Sequence, residues 1–341
     1  MNTISISSTE LNLQNILING SCFVWNYNPL TSSWIGIVGN LVVELTQPTS
    51  EEIKWRILNS SSILQTKEQI ESILLNYLSI TQQDLKEINL ESLYKEWSNK
   101  DETYFKQIVV NSKCSGIRIL RQDPFECFIS FLCSSNNNIK RITSMLSKLR
   151  ETYGTLLYSF SSEENNIIKK NYYQFPTLDQ LIEKKCTEEG LRKMGFGYRA
   201  KYIIKSISLL QELGGETWLK ERINNTSSSS TEKVVIEELQ QFCGIGKKVA
   251  SCIALYGLYY LNVVPLDTHM NQLLSKYYTS LEDYEKKFGK YSGLVQSILF
   301  TNKVFGSSSS SKNKRKKEQT FKNKKRKLKK DLIHSTFQSG I

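Results

Sequence analysis

Two histidines, His269 and His334, and seven cysteines without a single CxxC pair leave this chain ill equipped for a zinc site. Cys22, Cys114, Cys127, Cys133, Cys186, Cys243 and Cys252 are also too scattered for the four-cysteine loop that holds an iron–sulfur cluster. No metal and no cofactor is therefore expected. An odd cysteine count, with no apolar h-region near MNTISISSTE, points to a reduced intracellular compartment rather than a disulfide framework. No apolar run reaches the length of a membrane span, so no membrane partner is expected. The net charge is +12, but residues 306–341 hold twelve Lys or Arg against only Glu318 and Asp331. That leaves +2 for residues 1–305, a nearly neutral body whose surface the overall charge does not describe.

The tail opens with the linker composition GSSSSSK and continues with two basic clusters, KNKRKK and KNKKRKLKK, about ten residues apart. It is expected to be disordered. Blocks of this kind read as nuclear-localisation or nonspecific nucleic-acid segments, and a mere solubility tail is the alternative. Ahead of it, the first 60 residues carry the β-prone runs CFVWNY, SWIGIVG, LVVELTQ and IKWRIL between Asn, Gly, Pro and Ser, which predict an antiparallel sheet. From Thr66 the period becomes helical, as in KEQIESILLNYLS and LESLYKEW, and stays mostly so to Val304. Polar inserts at 161–166 and 224–232 read as surface loops. The expected class is α+β, mainly helical: an N-terminal sheet over 1–65, a helical region over 66–305 and the tail over 306–341.

Chemistry is concentrated in FCGIGKKVASCIALYGLYYLNVVPLDTHM, residues 242–270. VVIEELQQF before it is helical in pattern, and a second helix opens near Val249, so residues 234–260 read as helix, hairpin, helix. Gly244 and Gly246 permit a tight turn, and the following helix N-terminus would receive a phosphate well. Lys248 and Cys252 are four apart and share a face. Taken singly, GIG is an ordinary turn, Lys248 a solvated charge and Asp267 an N-cap for the helix beginning THMNQLL. Their joint spacing points to a site.

At these residues the chain resembles the helix-hairpin-helix DNA glycosylases. In the lysine-bearing branch the nucleophile lies two residues after the second hairpin glycine, which is Lys248, next to Lys247. The carboxylate that follows a proline is Asp267, in Pro265-Leu266-Asp267. RQDPFECFISFLCSSNNNIKRI carries a strong helix start, with Asp123 at the N-cap, Pro124 at N1 and Glu126 at N3 in a capping-box arrangement, and a helix end near Ser134. The same string resembles the eukaryotic 8-oxoguanine DNA glycosylase/lyase. That resemblance implies that Asn136 fills the space left by a flipped nucleotide and that Arg141 contacts the unpaired base. In MGFGYRAKY, residues 194–202, Tyr198 would wedge against bases while Arg199 donates to base edges.

The resemblance also implies a distributed pocket. In INGSCFVW the Gly20 carbonyl would accept from the damaged base, with Phe23 nearby. In YSGLVQSILF, Gln296 would meet the pairing edge, and Phe300 would stack on the base opposite Cys252. Oxidation turns guanine N7 from acceptor to N–H donor, so a fixed carbonyl gains a hydrogen bond from the lesion alone. Lys248 would attack the sugar C1′ while Asp267 stabilises positive charge on the ring, giving a Schiff base and then β-elimination. His269 would donate to a phosphate. Two positions depart from the pattern, because Lys303 and Ser251 stand where the family commonly carries acids. The resemblance implies a bifunctional base excision repair enzyme, an 8-oxoguanine DNA glycosylase with β-lyase activity that acts preferentially opposite cytosine through Arg141 and Arg199. It is expected to be a monomer acting in the nucleus, whose partners are damaged double-stranded DNA and, through the tail, the nuclear import machinery. A glycosylase for another base, or a non-enzymatic helix-hairpin-helix DNA-binding protein, are the competing readings.

Overall fold

The computed structural model describes residues 1–60, 64–111, 115–160, 170–224 and 231–303. The basic tail, Cys114 and most of the two polar inserts lie outside these residues. The N-terminal sheet has five strands: β1 (Asn2–Ser5), β2 (Asn26–Asn28), β3 (Ser33–Val38), β4 (Leu41–Thr46) and β5 (Glu52–Ile57). All neighbours are antiparallel, in the order β1-β5-β4-β3-β2. β4 lies at the centre and Leu41 to Leu45 are all buried, so it shows none of the alternation of a half-exposed strand. Its one charge, Glu44, is satisfied by Ser33 Oγ at 2.7 Å and by Arg56.

Two details differ from the sequence expectation. Only the end of CFVWNY joins a strand, and Cys22 to Trp25 instead form a buried segment leading into β2. β1 was not expected, because a four-residue edge strand with Ile4 as its single buried residue leaves almost no periodic signal.

The rest of the described chain is mainly helical. Thr66 caps the helix Lys67–Tyr77 in a full capping box with Gln69, and Thr177 does the same with Gln180 for Leu178–Glu183. The helix Pro124–Leu132 forms the centre of the body, buried at every position except Glu126. Asp123 caps it by accepting from Glu126 N at 2.9 Å, as expected. Only that half of the box forms, because the Glu126 carboxylate pairs with Arg150. Helices Arg199–Glu212 and Lys247–Tyr256 pack on this central helix. A small antiparallel pair, β6 (Leu156–Phe160) and β7 (Lys170–Tyr173), interrupts a stretch read as helical. No described helix is long and apolar enough to cross a membrane.

Candidate active site

Helices Glu232–Leu239 and Lys247–Tyr256 flank the hairpin CGIG. Gly244 is at φ +86°, and a Cβ there would lie 2.3 Å from the Tyr202 ring, so both conformation and space demand glycine. Gly246 is the N-cap of the second helix and provides no side-chain bond to its first amides. Those amides therefore face outward at the positive end of a ten-residue helix, beside the exposed Lys247.

Lys248 is half-buried in the first turn, and its amine reaches the sulfur of Cys252 one turn on. Burial pushes the Cys252 thiol above its usual range, partly opposed by the neighbouring Lys248 and reinforced by Asp267. Asp267 therefore belongs electrostatically to this group. It also caps the helix Thr268–Tyr277, with Oδ1 accepting from Met270 N at 2.7 Å. The cap and site readings of Asp267 thus do not exclude each other, since capping engages one carboxylate oxygen.

On the helix Ser292–Thr301, Gln296 is buried, with its Oε1 3.5 Å from the Tyr256 hydroxyl. Phe300, one turn on, stands edge to face with the exposed His269 at a centroid distance of 6.1 Å. The crevice that Gln296, Phe300 and His269 share with Leu273 and Lys303 measures only about 10 Å³, too small to hold a nucleobase as it stands. Beneath it runs an aromatic chain absent from the sequence reading. Phe23 meets Phe131 at 6.1 Å, and Phe131 stacks on Tyr256 at 5.3 Å with planes 11° apart. The available signal was Tyr256 at four residues beyond Cys252, on the Lys248 face. Lys303 donates to Gln272 Oε1 at 2.9 Å, and the Ser251 hydroxyl donates to Lys247 O at 2.9 Å.

The SSNNN loop and the GFGYR turn form one surface. Gly195 and Gly197 both have positive φ, which turns Phe196 into the core and leaves Tyr198 43% exposed. The Tyr198 hydroxyl donates to Ser135 O at 3.1 Å, and Arg141 Nη2 donates to Gly195 O at 3.3 Å. Asn136 is exposed and left-handed at φ +47°. Gly20, also at positive φ, approaches Ile139, so close that a Cβ would be 2.7 Å from its Cδ1. Gly20 thus abuts the start of the helix that follows this loop. Arg141 is exposed. Arg199 is not: it is 2% exposed and its guanidinium faces the Ser135 and Asn136 carbonyls. The donation to base edges expected of Arg199 therefore differs from the inward geometry, because the folded-over SSNNN backbone supplies its acceptors.

Residues 3–128 match the family model described as 8-oxoguanine DNA glycosylase, N-terminal domain, and residues 129–292 match that of the HhH-GPD superfamily base excision DNA repair protein. The chain is 33% identical to the N-glycosylase/DNA lyase OGG1 of Arabidopsis thaliana, over 87% of this chain and 78% of that one. It is 28% identical to the N-glycosylase/DNA lyase of Saccharomyces cerevisiae, over 90% and 87% respectively. Among solved structures, the Clostridium acetobutylicum 8-oxoguanine glycosylase/lyase, in complex with double-stranded DNA containing cytosine opposite 8-oxoguanine, superposes with a TM-score of 0.65. It is 27% identical and covers 87% of this chain and 93% of its own. The 3-methyladenine DNA glycosylase of Archaeoglobus fulgidus reaches the same TM-score at 18% identity, a likeness of fold alone. With the N-terminal sheet, the lysine-bearing hairpin and these matches in agreement, the chain belongs to the 8-oxoguanine DNA glycosylase/lyase family of helix-hairpin-helix proteins.

Proposed function

We propose that this protein excises 8-oxoguanine opposite cytosine from duplex DNA and then nicks the strand through a lysine Schiff base. The observation that carries the reading is the group formed by Lys248, Cys252 and Asp267, placed at the outward amide end of the hairpin helix. The relatives named as N-glycosylase/DNA lyases support both activities. Lys248 Nζ forms a bond to C1′ as the C1′–N9 bond breaks, and the departing base takes the electron pair and a proton. Asp267 faces the positive charge that develops on the sugar ring. The C1′–O4′ bond then opens, the Lys248 nitrogen giving up a proton and O4′ taking one, to leave the imine, and loss of its C2′ proton expels the 3′ phosphate.

Flipping the nucleotide costs a few kcal/mol, offset by Asn136 in the vacated space, Tyr198 stacking and the pocket contacts. In that pocket the Gly20 carbonyl accepts from the lesion N7–H, Gln296 meets the pairing edge, and Phe300 and Cys252 sandwich the ring beside Phe23. Arg141 reads the opposing cytosine. The amides after Gly244 and Gly246, with Lys247 and His269, hold the backbone phosphates. The protein acts as a monomer in the nucleus, and its tail engages the import machinery.

Borohydride trapping on duplex DNA with one 8-oxoguanine opposite cytosine tests the nucleophile. The wild type forms a covalent adduct and Lys248→Gln forms none. An adduct that survives Lys248→Gln, or a wild type with neither adduct nor base release, contradicts the proposal.

A further inference from the structure

The turn that carries Gly20 is fastened on both sides. Asn19 and Ser21 are buried, and Asn19 Oδ1 accepts from Ser21 N at 3.0 Å and from Ser21 Oγ at 2.6 Å, so the side chain spans Gly20 as an Asx turn does. Gly20 lies outside every helix and strand, and among the described residues no backbone amide donates to its carbonyl. The next carbonyl, that of Ser21, is held by Gln122, whose Nε2 donates to it at 2.9 Å.

The same nitrogen reaches a second carbonyl, Tyr256 O, at 3.4 Å. A side-chain amide carries two N–H donors, enough for both. Tyr256 is the last residue of the helix Lys247–Tyr256, which bears Lys248 and Cys252. Gln122 itself stands just before the capped start of the buried central helix Pro124–Leu132, with its own N–H bonded to Leu120 O at 3.0 Å. One side chain on a rigid base therefore ties the Gly20 turn to the helix of the nucleophile. Phe23, Phe131 and Tyr256 join the same two segments through their rings, but apolar contact is non-directional, whereas a hydrogen bond to a carbonyl fixes how its peptide is turned.

Resting on the proposed function, we infer that Gln122, together with Asn19, is a positioning residue for recognition of the lesion. It fixes the peptide beside Gly20 so that the Gly20 carbonyl stays aimed at N7 of the flipped base, in register with Cys252, and it takes no part in the attack on the sugar. An aimed carbonyl gains a bond from the N7–H of 8-oxoguanine and meets a lone pair on guanine. A carbonyl free to turn loses the first and escapes the second, so discrimination narrows from both sides.

Binding in the Lys248→Gln background, where the substrate stays intact, measures this on duplexes with 8-oxoguanine, guanine or a tetrahydrofuran abasic analogue opposite cytosine. Gln122→Met, similar in volume but without the donor, lowers the 8-oxoguanine-to-guanine affinity ratio about tenfold, the worth of one hydrogen bond, and leaves affinity for the tetrahydrofuran duplex unchanged. With Lys248 present, the same substitution leaves nicking of a preformed abasic site at the wild-type rate, because that substrate has no base to read. Asn19→Ala gives the same signature and serves if Gln122→Met fails to fold. An unchanged ratio, or losses on the tetrahydrofuran duplex and in abasic-site nicking that match the loss on 8-oxoguanine, overturns the inference. Failure of the proposed function looks different, since the protein with Gln122 intact then binds the 8-oxoguanine and guanine duplexes alike.

Discussion

Asp267 carries two duties on one carboxylate. Oδ1 accepts from Met270 N at 2.7 Å and caps the helix Thr268–Tyr277, and the charge belongs to the Lys248 and Cys252 group. Sequence alone offered these as competing readings, because both are written in the same letter. Substitution separates them. Asparagine is as good an N-cap as aspartate but is neutral, so Asp267→Asn keeps the melting temperature while base release falls on the order of 10²- to 10³-fold. Asp267→Ala loses the cap as well, at about 1 kcal/mol, and melts lower by roughly 2–4 °C. Thermal melts beside single-turnover assays check this; equal melting losses in both variants, with activity retained in Asp267→Asn, would leave Asp267 a cap and nothing more.

At the scale of elements, the hairpin shows what a motif leaves unspecified. Gly244 and Gly246 look equivalent in GIG. In the fold Gly244 sits at φ +86° with the Tyr202 ring 2.3 Å from any added Cβ, whereas Gly246 has nothing within 4 Å and an ordinary extended φ of −88°. Gly244→Ala should therefore cost roughly 1–3 kcal/mol of backbone strain in addition to displacing Tyr202. Gly246→Ala should cost no more than about 1 kcal/mol, the difference between glycine and alanine as N-caps. Urea midpoints decide the matter, and equal losses in the two variants would contradict this division. Capping chemistry was legible wherever it acts within a turn, as with Asp123 and Pro124 before the helix Pro124–Leu132. The pair β6 and β7 was not, since Leu156–Phe160 and Lys170–Tyr173 are short and stabilised by each other across an insert rather than by local pattern.

For the whole molecule, charge and fold are divided along the chain. Residues 1–305 carry +2 and residues 306–341 carry +10, so the tail is where attraction to backbone phosphates is expected to concentrate. The slope of log K against log salt should be shallower without residues 306–341, by about 0.9 for each phosphate contact the tail makes. Binding isotherms across a salt series measure this; an unchanged slope would mean that the tail makes no phosphate contacts. By itself, the sequence determined the lysine-bearing hairpin, the helix caps and the placement of charge, because turn chemistry, capping and composition act over a few residues. Tertiary structure alone decided that β4 is buried on both faces and that Phe23, Phe131 and Tyr256 align beneath Gln296. It also decided that Arg199 turns inward to carbonyls more than 60 residues away. Whether a side chain meets water, a ring or a backbone oxygen depends on which distant segment covers it, and no local pattern records that.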